Sequence, residues 1–228
     1  IDIAITYQPD LIITDLIMPV MNGLEFCKVI KSNLLTSHIP VLLLTGETTS
    51  ESQISGYEAG ADIYLTKPVN QPILIRVIYN FILSQNKIKR KFAVTEQLIP
   101  EDLDYNQLDK DFLAKMTRYV EENITQPDLD FKKLGEHASM SRTVLYAKFK
   151  TLTGLGVHDF IKNIRLKKAL QLLQEGKLNI SQVAYEVGFA TPSYFSKSFM
   201  KQYKLTPKEY VLSLKQHAAD KKALANFV

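Results

Sequence analysis

The sequence predicts two units in one chain: an α/β unit built on a parallel sheet, followed by an all-α unit. Three short apolar runs lie in the first 70 residues, and each ends at a polar or charged residue, as parallel strands buried on both faces do. Further along, apolar residues recur at the spacing of amphipathic helices, and one stretch resembles another about 50 residues away. With 228 residues, 46% of them hydrophobic, the chain is long enough for one or two packed cores.

The net charge of +4 is divided unevenly along the chain. Residues 1–86 contain 4 Lys and Arg against 8 Asp and Glu, a charge of −4, whereas residues 129–215 contain 15 against 6, a charge of +9. This division indicates that only the second half meets a polyanion. Because basic faces are often merely solvated, the charge is supporting evidence only.

Composition excludes several classes of protein. No apolar run approaches the roughly 20 residues that a membrane span needs, and the first residues show no signal-peptide pattern. Cys27 is the single cysteine, which excludes a disulfide framework within the chain and favours a reducing cytoplasm. Its apolar neighbours favour core packing over thiol chemistry. The four histidines show no spacing typical of a metal site.

The three apolar runs end at residues that could act together. The first run ends at Asp15, the run over 39–44 ends at Thr45, and the run over 61–66 ends at Lys67. Because the carboxyl ends of parallel strands meet at one edge of a sheet, these ends present a carboxylate, a hydroxyl and an ammonium together. The set suits phosphoryl transfer, in which the acid attacks while the hydroxyl and the cation neutralise charge on the phosphoryl oxygens. A lone acid at a strand end would otherwise be a solvated loop residue.

This pattern resembles the receiver domain of bacterial response regulators. The matching positions are Asp15 as the phosphoryl acceptor, Met18-Pro19 and Asn22-Gly23 after it, Thr45 as the switch hydroxyl, Ala61-Asp62, Tyr64 as the switch aromatic, and Lys67-Pro68. The resemblance implies a flavodoxin-like α/β fold, of which the sequence contains the last three of five strands. It also implies phosphorylation of Asp15 by a histidine kinase domain.

Mg²⁺ is the cofactor that the resemblance implies for a complete receiver. In the family, Asp15 would hold the ion with an acidic pair from the end of the first strand, and Asp2 is too close in sequence to take that place. We therefore expect the chain to begin inside the receiver, with Ile1 to Gln8 as the end of a helix, and to bind no cofactor as it stands. Either a preceding segment is missing, or the sheet borrows strands from a second copy.

The spacing of apolar residues and of turn signals sets the expected boundaries. The predicted helices of the first unit are 23–32, a helix that reaches residue 60 after a polar loop over 47–52, and a helix that follows Pro68 and ends near residue 85. The receiver then covers residues 1–86, and residues 87–108, which open with the basic run KIKRK, form a linker. Residues 109–228 form the second unit, whose first helix spans about 109–123.

From residue 130 onward, two segments resemble each other at an offset of 49 or 50 residues. The matched apolar residues are Leu134, Ala138, Met140, Leu145, Phe149 and Phe160 in the first segment, and Val183, Val187, Phe189, Phe195, Phe199 and Tyr210 in the second. Each segment has the pattern of two helices joined by a tight turn, a helix-turn-helix unit, at about 131–152 and 180–203. Ser141 and Thr191 suit the N-caps of the second helices, and Gly188 suits the second turn.

A long helix over 157–174, ended by Gly176, is predicted to connect the two helix-turn-helix units. If it holds their second helices about 34 Å apart, one turn of DNA, both can enter successive major grooves. Its sequence RLKKALQLL, with ISQVAYEVGF and YFSKSFMKQYKLTPKEY in the second unit, resembles the AraC/XylS family of transcription factors over about residues 109–213. The departures are Lys204 and Ser139 where the family usually has Gly, Val157 where Pro is common, and Ala147 where Arg is frequent. Ala147 weakens the DNA contact that is expected of the first helix-turn-helix unit.

Exposed positions of these second helices, the recognition helices, are the expected DNA contacts. They are Arg142, Thr143 and Tyr146 in the first helix-turn-helix unit, and Ser193, Ser196 and Lys197 in the second. Lys148, Lys150 and Lys201 are expected to contact phosphate groups, which position a protein on DNA without specifying sequence. For each of the first six, the alternative is contact with phosphate or solvent alone. Leu145, Phe149, Phe195 and Phe199 are predicted core residues, because a spacing of four keeps them on one buried face.

Together the resemblances imply a phosphorylation-controlled, DNA-binding transcription regulator of a two-component phosphorelay in the bacterial cytoplasm. The expected partners are double-stranded DNA, a phosphodonor histidine kinase domain, a second copy in a homodimer, and RNA polymerase, with no membrane contact from this segment. Two alternatives stay open. The chain is the C-terminal output portion of a longer membrane-bound hybrid histidine kinase, or the receiver is a phosphate-independent protein-interaction module. No enzyme activity is expected of the chain itself, and kinase activity would lie in a preceding segment.

Overall fold

The N-terminal half is an α/β unit on a three-stranded parallel sheet, as predicted. The computed structural model describes residues 1–46, 50–94 and 105–225, so part of the predicted polar loop (47–49) and of the linker (95–104) lies outside the described residues. The elements are α1 (Asp2–Tyr7), β1 (Ile12–Asp15), α2 (Gly23–Ser32), β2 (Val41–Thr45), α3 (Ser50–Glu58), β3 (Ile63–Thr66) and α4 (Gln71–Val94). The sheet order is β1-β2-β3, with both pairs parallel.

The core of this half lies between β2 and α2. The first three residues of β2 are fully buried because it is the central strand, which explains why its sequence is an unbroken apolar run. Asn22 starts α2 with a capping box, and the helix turns Cys27 and Ile30 into the core. The prediction that Cys27 packs in the core is confirmed. Burial raises the pKa of its thiol to about 11, so the thiol stays protonated at neutral pH.

The helix α4 is longer than its apolar spacing predicts. It continues past residue 85 to Val94, a length of 24 residues, and so takes in the basic run assigned to the linker. Lys, Arg, Ala and Phe all tolerate a helix, and residues 87–94 contain no glycine or proline to end one. The helix therefore continues where the apolar periodicity of the sequence is lost.

The C-terminal half is all-α and contains two helix-turn-helix units. Its helices are α5 (Gln107–Glu122), α6 (Phe131–Ala138), α7 (Arg142–Thr153), α8 (Val157–Glu175), α9 (Ile180–Glu186), α10 (Pro192–Tyr203) and α11 (Pro207–Ala225). The connecting helix α8 belongs to two cores: Phe160 and Ile164 pack with the first unit, whereas Ala169 and Leu173 pack with the second. In the described part of the chain, no helix is both long and apolar enough to cross a bilayer.

The cap and turn residues predicted from the sequence start and end the helices of these units. The side chains of Ser141 and Thr191 cap α7 and α10 by accepting from the backbone N–H three residues later. Gly176 ends α8 in the left-handed region, with φ at +67°. The four aromatic and leucine residues predicted to be core rather than base-stacking residues are 0% exposed: Leu145, Phe149, Phe195 and Phe199.

Replacing Lys204 by glycine is expected to stabilise the fold by about 1 kcal/mol. Lys204 ends α10 with φ at +63°, a left-handed conformation that costs an L-residue roughly 1–2 kcal/mol and costs glycine little. Lys201→Gly is the matched control, because the same change three residues earlier, inside α10, should destabilise by about 1 kcal/mol. Urea unfolding followed by circular dichroism measures both. Shifts of the same sign in the two variants would contradict the expectation.

Candidate functional site

The three strand ends lie side by side at the carboxyl edge of the sheet. Asp15 pairs in register with Leu44 on β2, and Thr45 pairs with Thr66 on β3. The backbone N–H of Lys67 donates to the carbonyl of Thr45 at 2.6 Å, which holds the chain after β3 against the end of β2. One edge therefore carries all three residues that the sequence places there.

The side chains of Asp15 and Lys67 form an ion pair at this edge. The Lys67 ammonium donates to Asp15 Oδ2, and the backbone N–H of Ile17 donates to Asp15 Oδ1 at 3.3 Å. The hydrogen bond from Lys67 holds the pKa of the Asp15 carboxyl below its usual value, and backbone N–H groups act in the same direction. Asp15 is therefore ionised at neutral pH, the form in which a carboxylate acts as a nucleophile.

Of the two residues expected to switch, Thr45 ends β2 at the same edge as the ion pair, and Tyr64 lies on β3 three residues before Lys67. Thr45 is fully buried, and Tyr64 is half-buried against the core of the N-terminal half. The Tyr64 ring lies on α3 so closely that a Cβ on Gly56 would come within 2.8 Å of Tyr64 Cδ2. The ring centroids of Tyr57 and Tyr64 are 6.3 Å apart. The switch roles of Thr45 and Tyr64 stay predictions.

Most of the expected DNA contacts are exposed on the recognition helices α7 and α10. The exposed residues are Arg142, Thr143, Tyr146, Lys150, Ser193, Lys197 and Lys201, and Ser196 is half-buried. The Arg142 guanidinium lies over the Phe131 ring, 5.4 Å from its centroid, which fixes its position at the start of α7. Lys197 and Lys201 share a cleft with Lys162 of α8, a third lysine that the sequence argument did not select.

The prediction that Lys148 contacts phosphate is wrong in this structure. Its side chain is 0% exposed, and its ammonium donates to Asp109 Oδ1 at 2.5 Å, to Ser37 Oγ at 2.9 Å and to the carbonyl of Leu34 at 3.0 Å. A buried ammonium cannot reach a duplex. The physical reason is helical spacing, since Lys148 lies three residues after Leu145 and therefore on the buried face of α7.

Asp109, the partner of Lys148, was missed by sequence reasoning. It is 3% exposed, although a carboxylate is rarely buried without a partner. The available signal was its position on α5, three residues before Phe112 and seven before Met116, which puts it in the apolar stripe of that helix. A carboxylate in such a stripe predicts a buried cation elsewhere in the chain.

Comparison with known families assigns each half. The response regulator receiver domain matches residues 1–79, and a helix-turn-helix domain matches residues 134–212. The chain joins a receiver domain to an AraC-type helix-turn-helix domain. The strand-end ion pair lies in the receiver domain, and both recognition helices lie in the AraC-type domain.

Relatives share one or both of these domains. The chain is 40% identical to histidine kinase P4 of Formosa agariphila over 202 residues, which are 89% of this chain and 15% of that protein. It is 25% identical to the transcriptional regulatory protein HptR of Staphylococcus aureus over 210 residues, 90% of this chain and 80% of that protein. A solved AraC-type transcriptional regulator from Chromobacterium violaceum is 27% identical, with a TM-score of 0.45, covering 49% of this chain and 98% of that one. The chain thus spans a small part of the length of the kinase.

The described residues of the receiver domain do not fit a divalent cation by themselves. Within residues 1–46, 50–94 and 105–225, no group of three or more His, Cys, Asp and Glu side chains could hold a metal ion. At the strand-end edge, Lys67 already occupies Asp15 Oδ2. A Mg²⁺ site needs several oxygen ligands, so Asp15 alone supplies too few.

Replacing Lys67 by methionine is expected to raise the pKa of Asp15 toward its usual value. The change removes the hydrogen bond that contributes most to lowering this pKa. Titration of the Asp15 carboxyl carbon by NMR measures the shift. Lys28→Met, which removes the same charge from an exposed position on α2, serves as the control. If both variants left the pKa of Asp15 unchanged, the ion pair would not exist in solution.

Proposed function

We propose that the protein is a DNA-binding transcription regulator of a two-component system, with the receiver domain as its control element and Asp15 as the residue that is phosphorylated. The observation that carries the proposal is the pair of helix-turn-helix units built on the single helix α8. Because α8 packs into both cores, it holds α7 and α10 at a fixed separation, as reading two successive major grooves requires.

The chemistry of the exposed residues supports double-stranded DNA as the ligand. Arg142 can bind a base edge or a phosphate group through its planar fork, whereas Thr143 and Tyr146 offer hydroxyl groups beside it. Lys197 and Lys201 of the second helix-turn-helix unit line a cleft of about 350 Å³, where their ammonium groups can neutralise neighbouring phosphates. Lys162 of α8 and Asp159 line the same cleft and form an ion pair at 2.5 Å. The domain acts by binding, without an enzymatic step of its own.

The partners follow from the two domains. A phosphodonor histidine kinase domain would supply the phosphoryl group to Asp15. The protein would act in the bacterial cytoplasm, where it would bind DNA as a homodimer and contact RNA polymerase. A second candidate is favoured by the likeness to histidine kinase P4, which extends over 89% of this chain. In that case the same DNA-binding activity belongs to the output portion of a longer membrane-bound hybrid kinase.

Selection of genomic DNA fragments by the purified protein tests the proposed DNA binding. Sequencing the retained fragments should reveal a motif with two parts about one helical turn apart, roughly 10 base pairs. Arg142→Ala should weaken binding to that motif by about 1–3 kcal/mol if Arg142 reads a base, and Lys201→Ala should reduce the salt dependence by about one unit of slope. Lys28→Ala, in the receiver domain, is the control. Retention of fragments without any shared motif would contradict sequence-specific binding.

A substitution at Asp15 tests the proposed control by phosphorylation. Asp15→Asn removes the nucleophilic carboxylate but keeps a side chain of the same shape. Expression of the genes next to the recovered motif should then no longer respond to the signal. An unchanged response would instead support the receiver domain as a phosphate-independent interaction module.

A further inference from the structure

The two helix-turn-helix units meet at the middle of α8. Ile164 packs with the core of the first unit, and Leu166, two residues later, packs with the core of the second. Arg165 lies between them in the sequence of the same helix and is only 9% exposed. A guanidinium group is rarely buried without partners, because it is costly to take a charge out of water. The partners of Arg165 therefore bear on how the two units are joined.

The guanidinium of Arg165 donates to a loop that belongs to the first unit. Nη2 donates to the carbonyl of Gln126, in the loop over residues 123–130 between α5 and α6. The same carbonyl accepts from the backbone N–H of Leu129 at 3.2 Å, and Leu129 is buried in the first core. Asp130 ends the loop as the N-cap of α6. The loop is thus fixed to the first unit and moves with it.

The same loop and the same guanidinium meet the turn of the second unit. A Cβ on Gly188 would lie 2.0 Å from the carbonyl of Ile124 in the loop and 2.9 Å from Arg165 Nη2, so the turn approaches both as closely as a glycine allows. Pro127 of the loop, Arg165 of α8 and Gly188 of the turn line one small cleft of about 220 Å³. This contact forms a second connection between the units, beside the one along α8.

The turn at Gly188 sets the start of the second recognition helix. Thr191, three residues after Gly188, caps α10. Between them, Phe189 is buried, and its ring centroid lies 5.3 Å from that of Phe195 in α10. Because closely packed side chains transmit displacement, a shift of the turn carries α10 with it. The position of α10 relative to the first unit therefore depends on the contact at Arg165.

We propose that Arg165 is a positioning residue for DNA recognition, which fixes the separation of the two recognition helices and with it the number of base pairs between the two halves of the DNA site. The proposal rests on the DNA binding proposed above and adds what sets the spacing of its site. A helix such as α8 can bend slightly between its two cores, and the bridge from Arg165 to the loop and the turn resists that bending. Base pairs are stacked about 3.4 Å apart, so a shift of α10 by that distance along the duplex changes the preferred spacing by one base pair.

Arg165→Met tests the proposal, because methionine keeps an apolar side chain in place and removes every hydrogen-bond donor. The probes are duplexes of about 30 base pairs that carry the selected two-part motif, with one or two base pairs added to or removed from the segment between its halves. We expect the wild-type protein to bind the best spacing about tenfold more tightly than a spacing one base pair away, and Arg165→Met to prefer it only about twofold. The ratio of two affinities measured on one protein does not depend on the fraction that is folded. A loss of stability alone would therefore leave the ratio unchanged.

Two further variants separate the bridge from the charge. Arg165→Lys keeps the charge but not the planar fork, so its preference should lie between those of the wild-type protein and Arg165→Met. Arg118 is exposed on α5, and Arg118→Met removes the same charge from the same domain without touching the bridge. Its preference should equal that of the wild-type protein.

The outcomes distinguish this proposal from the proposed function. A wild-type preference that persisted in Arg165→Met, or in Arg165→Lys if the methionine variant did not fold, would overturn the role of Arg165 and leave the DNA binding in place. An equal loss of preference in Arg118→Met would also overturn it, as would a wild-type protein that bound all spacings equally. If the wild-type protein selected no two-part motif, the proposed function would fail, and the proposal for Arg165 with it.

Discussion

Asp109→Asn is expected to lower the free energy of unfolding by about 3–5 kcal/mol, the range for removing one partner of a buried ion pair. The ammonium of Lys148 would remain 0% exposed without its carboxylate. Burial already lowers the pKa of Lys148, and Asp109 opposes that effect. In the variant the pKa falls further, so the folded state binds fewer protons than the unfolded state between the two pKa values. Stability of the variant should therefore rise as the pH rises through the folded pKa of Lys148. Urea unfolding across pH measures this.

Two further variants separate burial from charge alone. Asp128→Asn breaks an ion pair with Lys133 at 2.6 Å, but Asp128 is 74% exposed, so this change should cost far less stability than Asp109→Asn. A double variant, Asp109→Leu with Lys148→Met, should recover most of the loss because neither side chain is charged. Equal costs for Asp109→Asn and Asp128→Asn would mean that the Asp109–Lys148 pair is open to water.

Gly188→Ala is expected to destabilise the C-terminal half by roughly 2–5 kcal/mol, the sum of backbone strain and overpacking. Gly188 has φ at +78°, and an added Cβ would lie 2.0 Å from the carbonyl of Ile124 and 2.9 Å from Arg165 Nη2. Arg165 donates to the carbonyl of Gln126, so the clash falls where the loop between α5 and α6 meets the turn of the second unit. Thermal unfolding should show the loss.

Gly176→Ala measures the backbone-strain part of this cost alone, so the difference between the two variants gives the steric part. Gly176 has φ at +67°, but a Cβ there would meet nothing within 4 Å. Its replacement should cost only the backbone strain, about 1–2 kcal/mol. A loss for Gly188→Ala no greater than that for Gly176→Ala would show that the loop moves aside without difficulty.

Local patterns in the sequence predict most of the elements but not the contact between the two domains. The starts of α7 and α10 follow from their N-caps, Ser141 and Thr191, the end of α8 follows from Gly176, and the strand ends follow from short apolar runs. The contact of Ser37 with Lys148 could not be predicted this way, because the two residues are 111 positions apart in sequence. Periodicity shows which face of α7 is buried, but it does not show that a loop of the receiver domain covers part of that face. The continuation of α4 was missed because a helix can outlast its apolar stripe.

The length of α4 has a mechanical consequence. It begins just after Lys67-Pro68, runs unbroken for 24 residues and passes both recognition helices. At 1.5 Å per residue it is about 36 Å long, so a tilt of about 5° at its first turn displaces its last turn by roughly 3 Å. A tilt too small to disturb the sheet near Lys67 therefore moves the last turn of α4 by nearly the width of a side chain.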